Sequence, residues 1–270
     1  MNESFSWDEL PDRYRVILCD IWGVVHDGVR LNPGAAARLA EWRDQGRFVL
    51  LITNAPRTAD GVGRQLDRMG LPRSCWDSIV TGGEAGIEAL AALGRPVGFL
   101  GTPEDRAVLE RRGIRISETD DFSDVACAGL EEERPRVEQY ASQLKRWAER
   151  GVTLHCLNAD RVVMHGGVAE LCAGALADLY QELGGPVAWY GKPHRAIYDH
   201  ALRLAGDPPR DTVLAVGDGL QTDMLGAARM GFDAVFVSTG IHCGEPFPGD
   251  FAAANGLGDW RPIATVEGLG

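Results

Sequence analysis

The stretch Val16-Ile17-Leu18-Cys19-Asp20 constrains this chain more than any other. Four apolar residues, two of them β-branched, read as a buried strand. The run then ends on a carboxylate, which is costly to bury unless a cation or a hydrogen-bonding partner compensates it. A turn-capping aspartate is the plainer alternative. Gly23, Val24 and Val25 continue the segment, and His26-Asp27-Gly28 leads out of it.

The same pattern recurs along the chain. Pro33 to Gly46 predicts a helix, with Pro in the first turn and Gly as the stop. Phe48 to Ile52 predicts a second buried strand, which runs into Thr53-Asn54-Ala55-Pro56. A helix over 58–69 and a short strand over 78–81 follow. Near-continuous apolar strands alternating with helices imply a parallel sheet covered on both faces, the doubly wound α/β class. The units continue as helix 84–93, strand 96–101, helix 103–112, strand 125–130, helix 135–150, strand 152–157 and helix 172–183. Asp211 to Val216 predicts a strand ending in Gly217-Asp218, then a helix over 221–230, with Ala234 to Val237 as the last strand. Residues 1–15 read as polar and peripheral. The implied division is a discontinuous core, 1–81 and 189–270, interrupted by an α/β insertion over 82–188.

Charge narrows the partners. The chain carries 39 acidic against 27 basic residues, a net charge of -12, whereas nucleic-acid or anionic-membrane binding calls for a basic face. No nucleic acid and no membrane are therefore expected. No apolar run has the length of a membrane span, and the N-terminal residues lack the pattern of a secretory signal. The six cysteines, Cys19, Cys75, Cys127, Cys156, Cys172 and Cys243, form no CxxC pair. They read as buried thiols in a reducing, cytoplasmic setting.

Polar residues collect at three predicted strand ends: Asp20, Thr53-Asn54, and Asp218 with Asp223. In a doubly wound sheet these ends border one crevice, where ligands bind. Carboxylates brought close together disfavour one another's ionised form unless a cation sits among them. Hard oxygen ligands suit Mg²⁺, which in turn favours a phosphorylated substrate. Lys192, in Gly191-Lys192-Pro193, is placed to neutralise further negative charge. Caps and surface charges would explain each item singly; the order in which they occur together is what points to one site.

Four segments resemble, in order, the motifs of the haloacid dehalogenase superfamily, class IIA, the NagD-like phosphatases. They are Asp20-Ile21-Trp22-Gly23-Val24, Leu51-Ile52-Thr53-Asn54, Gly191-Lys192-Pro193, and Val216-Gly217-Asp218-Gly219-Leu220-Gln221-Thr222-Asp223, with its continuation to Gly240. The insertion carries Asn158-x-Asp160 and Leu171-Cys172-Ala173-Gly174-Ala175, similar to the cap of that class. The resemblance implies a Rossmann-like core with an inserted class IIA α/β cap. It implies that Asp20 is a nucleophile forming an aspartyl-phosphate and that Thr53 and Asn54 bind phosphoryl oxygens. Lys192 would stabilise the nucleophile and the transferring group. Asp20, Asp218, Asp223 and the backbone carbonyl of Trp22 would hold Mg²⁺. Asn158 and Asp160 are the implied cap contacts to a small phosphorylated metabolite. Association as a homodimer is an option the resemblance leaves open.

One position departs from the family. A second Asp, two residues after the nucleophile, usually protonates the leaving oxygen and then activates water; here it is Trp22. An indole is a donor only, and losing acid–base help typically costs about 10²–10⁴-fold. Four readings follow: a phosphatase of altered scope, with help from His26, Asp160, His155 or His165; a different reaction of the superfamily; a phosphotransferase; or a catalytically weak binder of a phosphometabolite. A carboxylate kept beside an anionic phosphate favours turnover over binding. Trp147, Trp189 and Tyr190 read as packing residues.

Overall fold

The structure is a computed structural model that describes residues 5–165, 168–240 and 246–270. In chain order its main elements are β1 (Val16–Asp20), α1 (Ala35–Asp44), β2 (Phe48–Thr53), α2 (Ala59–Arg68), β3 (Ser78–Thr81), α3 (Gly82–Ala92) and β4 (Gly98–Leu100). There follow α4 (Pro103–Arg111), β5 (Asp124–Cys127), α5 (Ala141–Glu149), β6 (Thr153–Cys156), β7 (Val162–His165), β8 (Val168–Leu171), α6 (Ala173–Glu182) and β9 (Val187–Trp189). The chain closes with α7 (Arg195–Leu204), β10 (Val213–Gly217), α8 (Leu225–Met230), β11 (Asp233–Val237), α9 (Phe251–Asn255) and β12 (Ala264–Val266). No helix among the described residues is long and apolar enough to cross a membrane.

The chain divides into two compact units. The first comprises 1–53, 59–80 and 198–270; the second comprises 54–58 and 81–197. The expected insertion ran from 82 to 188, whereas β9, which ends at Trp189, is a strand of the second unit's sheet.

The first unit holds a six-stranded sheet in the order β12-β11-β10-β1-β2-β3. β1 pairs in parallel with β2 and β10, and β11 in parallel with β10 and β12. β1 is buried throughout, Asp20 included, as a strand covered on both faces must be. The strand order reverses between β1 and β10. With Cys19 opposite Val216 and Asp20 opposite Ile52 in register, the ends of β10 and β2 bring Asp218 and Thr53 up beside the end of β1. This is the switch point at which open α/β sheets bind ligands.

Two expectations for this unit are corrected. β11 is not the last strand, since β12 pairs beyond it. The N-terminal segment is not peripheral: Trp7, Leu10 and Tyr14 are buried. Trp7 packs edge-on against Trp42 and donates to the Gly268 carbonyl at 3.0 Å. The Arg47 guanidinium, itself buried, donates to the carbonyls of Leu10, Pro11 and Tyr14 at 2.9–3.1 Å. It thereby ties the segment to the start of β2.

The second unit is a four-stranded parallel sheet, β4-β5-β6-β9, with a separate antiparallel hairpin of β7 and β8. Its strands alternate as the pleat requires. Val125 and Cys127 face a core made with Leu144, Trp147, Leu176 and Tyr180 of α5 and α6. Ala126 and Ala128 face another made with Ile87, Leu90 and Leu109 of α3 and α4. Trp147 is thus a packing residue, as expected. The helix expected over 135–150 is a 3₁₀ turn, Val137–Tyr140, followed by α5.

Candidate active site

The candidate site is built at the ends of β1 and β10. Asp20, Asp218 and Asp223 are buried, and one oxygen from each lies within 4.8 Å of the others. Two of them are held by local backbone. The Ile21 amide donates to Asp20 Oδ1 at 2.7 Å, and the Gly219 amide donates to Asp223 Oδ2 at 3.1 Å. Asp223 lies not on a plain α-helix, as expected over 221–230, but in one π-type turn, Leu220–Met224, that leads into α8. That wider turn carries Asp223 back over Gly217, where a Cβ would overlap its side chain. Asp218 is walled by two glycines, Gly23 and Gly240, at each of which a Cβ would overlap the carboxylate. Gly23 also has φ +88°, which favours glycine. Three buried carboxylates at this spacing repel unless a cation joins them. The donor set is all hard oxygen, and the residues present fit a divalent ion such as Mg²⁺.

Trp22 and His26 belong to the loop after β1. Trp22 is 37 % exposed and meets His26 edge to face, ring centroids 6.3 Å apart. His26 is buried, and its Nδ1 accepts the Gly28 amide at 3.0 Å. Burial lowers its pKa, with a smaller opposing pull from Asp27. With Nδ1 accepting from backbone, the neutral form of the His26 ring carries its proton on Nε2. Thr53 ends β2 and is buried.

The remaining expected residues lie in the second unit. The Asn54 amide nitrogen donates to Asp160 Oδ1 at 2.8 Å and to the Lys192 carbonyl at 3.0 Å, while its oxygen accepts the Lys192 amide at 2.5 Å. The Asn54 side chain thus mounts Lys192, a buried residue that precedes a cis-Pro193. Burial raises the pKa of Asp160, opposed by the Asn54 hydrogen bond and the Lys192 charge. Asn158 Oδ1 accepts the Asp160 amide at 3.0 Å, an Asx turn that sets where Asp160 starts.

His155 is committed on both ring nitrogens. Nε2 is 2.9 Å from Asp124 Oδ1 and Nδ1 is 2.8 Å from the Tyr190 hydroxyl. Arg95 holds the other Asp124 oxygen at 2.6 Å. Tyr190 is therefore more than packing, and burial pushes its pKa up to about 12. The side chain of His165, together with Gly166-Gly167 and Cys243, lies outside the described residues. Sequence reasoning missed the Asn54–Asp160 and Asp124–His155–Tyr190 contacts. Each joins residues far apart in the chain, and the only signal for the second was an acidic residue just before one predicted strand and a histidine within the next.

Residues 17–115 match a family described as haloacid dehalogenase-like hydrolase, and residues 189–258 match a second described as HAD-hydrolase-like. A solved hydrolase of the haloacid dehalogenase-like family from Brucella suis 1330 is 33 % identical, with a TM-score of 0.85 and 100 % of each chain covered. The chain belongs to the haloacid dehalogenase-like hydrolase family. Within that family it is similar to the ribonucleotide monophosphatase NagD of Escherichia coli strain K12. That relative is 28 % identical over 230 residues, 83 % of this chain and 88 % of NagD. It shares its fold with a glycerol phosphate phosphatase from Mycobacterium tuberculosis solved in complex with magnesium, at 24 % identity and a TM-score of 0.71, covering 95 % of this chain and 76 % of that one. The class IIA resemblance read from the four motifs is thereby borne out, as is the α/β fold with parallel sheets.

Proposed function

We propose that this chain is a Mg²⁺-dependent phosphatase that removes phosphate from a small phosphorylated metabolite through an aspartyl-phosphate on Asp20. The observation that carries the reading is the carboxylate triad at the switch point of the sheet. A divalent ion held by Asp20, Asp218, Asp223 and the Trp22 carbonyl would offset the charge of the phosphate as it transfers. The Ile21 amide fixes the rotation of the Asp20 carboxylate, a condition for in-line attack. Thr53 contributes its hydroxyl, and Asn54 its backbone amide, to the phosphoryl oxygens. Lys192 supplies positive charge to the same group, and Asn158 and Asp160 are the proposed contacts to the leaving group. Phosphoryl transfer of this kind runs on positioning and charge rather than on covalent novelty. The five described cysteines are buried thiols outside any disulfide, which supports a reducing, cytoplasmic setting.

Trp22 favours a second reading. With no carboxylate at that position to activate water, the aspartyl-phosphate would persist, and the phosphoryl group would pass to another acceptor or turn over weakly. One experiment separates the two: Mg²⁺-dependent phosphate release from p-nitrophenyl phosphate and acetyl phosphate by wild type, Asp20→Asn and Trp22→Asp. A phosphatase gives an active wild type, a dead Asp20→Asn, and a Trp22→Asp faster by roughly tenfold or more. Stoichiometric phosphoenzyme without steady release supports the transferase, and an active Asp20→Asn removes Asp20 from the reaction.

A further inference from the structure

The Tyr190 phenol is the last link in a chain of charged and polar groups inside the second unit. Arg95 donates to Asp124 Oδ2 from Nε at 3.0 Å and from Nη2 at 2.6 Å. The other Asp124 oxygen meets His155 Nε2, and His155 Nδ1 meets the Tyr190 hydroxyl. Asp124 and His155 are buried, at the start of β5 and within β6. Burial pushes the Tyr190 pKa up to about 12, and its partners hold the Asp124 carboxyl below its ordinary value. The phenol therefore keeps its proton and donates to Nδ1, while Nε2–H donates to the Asp124 carboxylate. Ionic groups buried in this way add little net stability over apolar packing of the same volume. What a fully satisfied chain supplies is a fixed orientation.

The end of β9 is what it orients. Pairing with β6 runs out there: Trp189 is the last residue in register, opposite Cys156, and the Tyr190 amide reaches the Cys156 carbonyl only at 3.4 Å. Side-chain contacts take over where the backbone ladder stops. The Tyr190 ring stacks on the His155 imidazole, the two planes 10° apart, and Gly86 of α3 leaves it room. Lys192 follows after a single glycine, the residue with the widest backbone freedom. A stiffer residue does not fit at Gly191, because a Cβ would stand 2.6 Å from Asn54 Oδ1 and 2.8 Å from Ala159 Cβ. The freedom left there is removed from both sides. Asn54 grips the Lys192 peptide at its amide and carbonyl, and the anchored phenol holds Tyr190.

We propose that Tyr190 is a positioning residue for Lys192, with Arg95, Asp124 and His155 as the chain that anchors its hydroxyl to the sheet. This rests on the reading of Lys192 as the positive charge on the phosphoryl group. Tyr190 acts through the backbone from which the Lys192 side chain extends, not on the substrate. Displacing a catalytic group by 1 Å can cost about 10²-fold in rate, so a partial loss of this anchor costs roughly tenfold.

Tyr190→Phe keeps the ring and removes only the hydroxyl. Tyr180→Phe is its control: Tyr180 is buried in the same unit, and its hydroxyl donates to the Val152 carbonyl at 2.5 Å, tying α6 to the start of β6. Both variants are expected to lower the Tm by about 2–4 °C. Only Tyr190→Phe lowers kcat/KM for p-nitrophenyl phosphate, by roughly tenfold. A Tyr190→Phe with the kcat/KM of wild type, or with a loss that Tyr180→Phe matches, overturns the inference and leaves the phosphatase reading intact. A double-mutant cycle with Lys192→Ala reads the route, as the Kd for inorganic phosphate on the Mg²⁺-loaded protein, which needs no turnover. Tyr190→Phe is expected to weaken phosphate roughly fivefold in the wild-type background and less than about twofold in the Lys192→Ala background. Equal weakening in both overturns the inference. A Lys192→Ala that binds phosphate and turns over the ester as well as wild type overturns the role of Lys192 and the inference with it, and so does a wild type that binds no phosphate. If the wild type hydrolyses no ester but binds phosphate, the phosphatase reading falls and the phosphate cycle decides the inference.

Discussion

Both ends of the Asn54 side chain are in use, and its two substitutions differ in kind. Asn54→Ala removes the donors to Asp160 and the Lys192 carbonyl and the acceptor of the Lys192 amide. Buried hydrogen bonds lost in this way cost about 2–3 kcal/mol. Asn54→Asp keeps the shape but replaces the donor with a second carboxylate facing Asp160, so it is expected to cost more than Ala despite being isosteric. Urea unfolding of both variants checks the order; a milder Asp than Ala would show that the amide is not donating. Asp124 shows the opposite electrostatics. Burial alone would raise its carboxyl, but the hydrogen bonds from His155 and Arg95 hold it below its ordinary value. A depressed folded pKa stabilises above the unfolded value of 3.8 and is lost as pH falls through the folded one. The loss of stability in Asp124→Asn, about 2–3 kcal/mol at pH 7, is therefore expected to shrink below pH 3.8. A gap between the two urea curves that stays constant down to about pH 2–3 would contradict it.

Glycines inside helices distinguish what an element prefers from what its packing allows. At Gly63 in α2 an added methyl would meet only Ile79 Cδ1, at 3.8 Å, so Gly63→Ala is expected to gain up to about 1 kcal/mol of helix propensity. Gly86 in α3 is different. A Cβ there would overlap Leu157 and stand 3.1 Å from Tyr190 Cδ2, so Gly86→Ala is expected to lose roughly 1–3 kcal/mol through overpacking. Thermal melts of the two variants should move in opposite directions, and movement in the same direction would refute the packing argument. Sequence alone makes the two look alike. What it does make legible are the long, strongly apolar strands β1, β2, β10 and β11 and the helices between them, because a strand buried on both faces leaves a continuous apolar run. The elements it hides are short or lie at an edge. β9 and β12 have three residues each, and β7 and β8 form a hairpin outside both larger sheets. The N-terminal segment did carry a signal in the spacing of Trp7, Leu10 and Tyr14, but its order depends on Arg47, more than thirty positions away. Of the site, the triad was legible because topology alone brings strand ends together. The mounting of Lys192 by Asn54 was not, because it depends on side-chain geometry across 138 positions.

At the scale of the whole molecule, the net charge of -12 and the triad make separable demands on a cation. Diffuse acidity is relieved by any salt, because screening acts on exposed charges beyond about 10 Å at 0.1 M. The triad is buried, so bulk screening reaches it poorly, and a bound divalent ion is the effective remedy. A ligand at one hundred times its Kd stabilises by about 2.7 kcal/mol. For a chain of this size that corresponds to roughly 5–10 °C in Tm. Mg²⁺ is therefore expected to raise the Tm by this amount over NaCl at matched ionic strength. Asp218→Asn removes one charge from the triad with little change of shape, which the walls at Gly23 and Gly240 require. Its Tm without Mg²⁺ should equal or exceed that of wild type, because repulsion is relieved, and its Mg²⁺-specific rise should largely disappear. The two effects have opposite signs in one variant, which a residue needed only for packing would not produce. An Asp218→Asn protein that melts lower without Mg²⁺ and keeps the full Mg²⁺ shift would remove Asp218 from the metal site. The charge of the surface, rather than of the triad, would then account for any response to the ion.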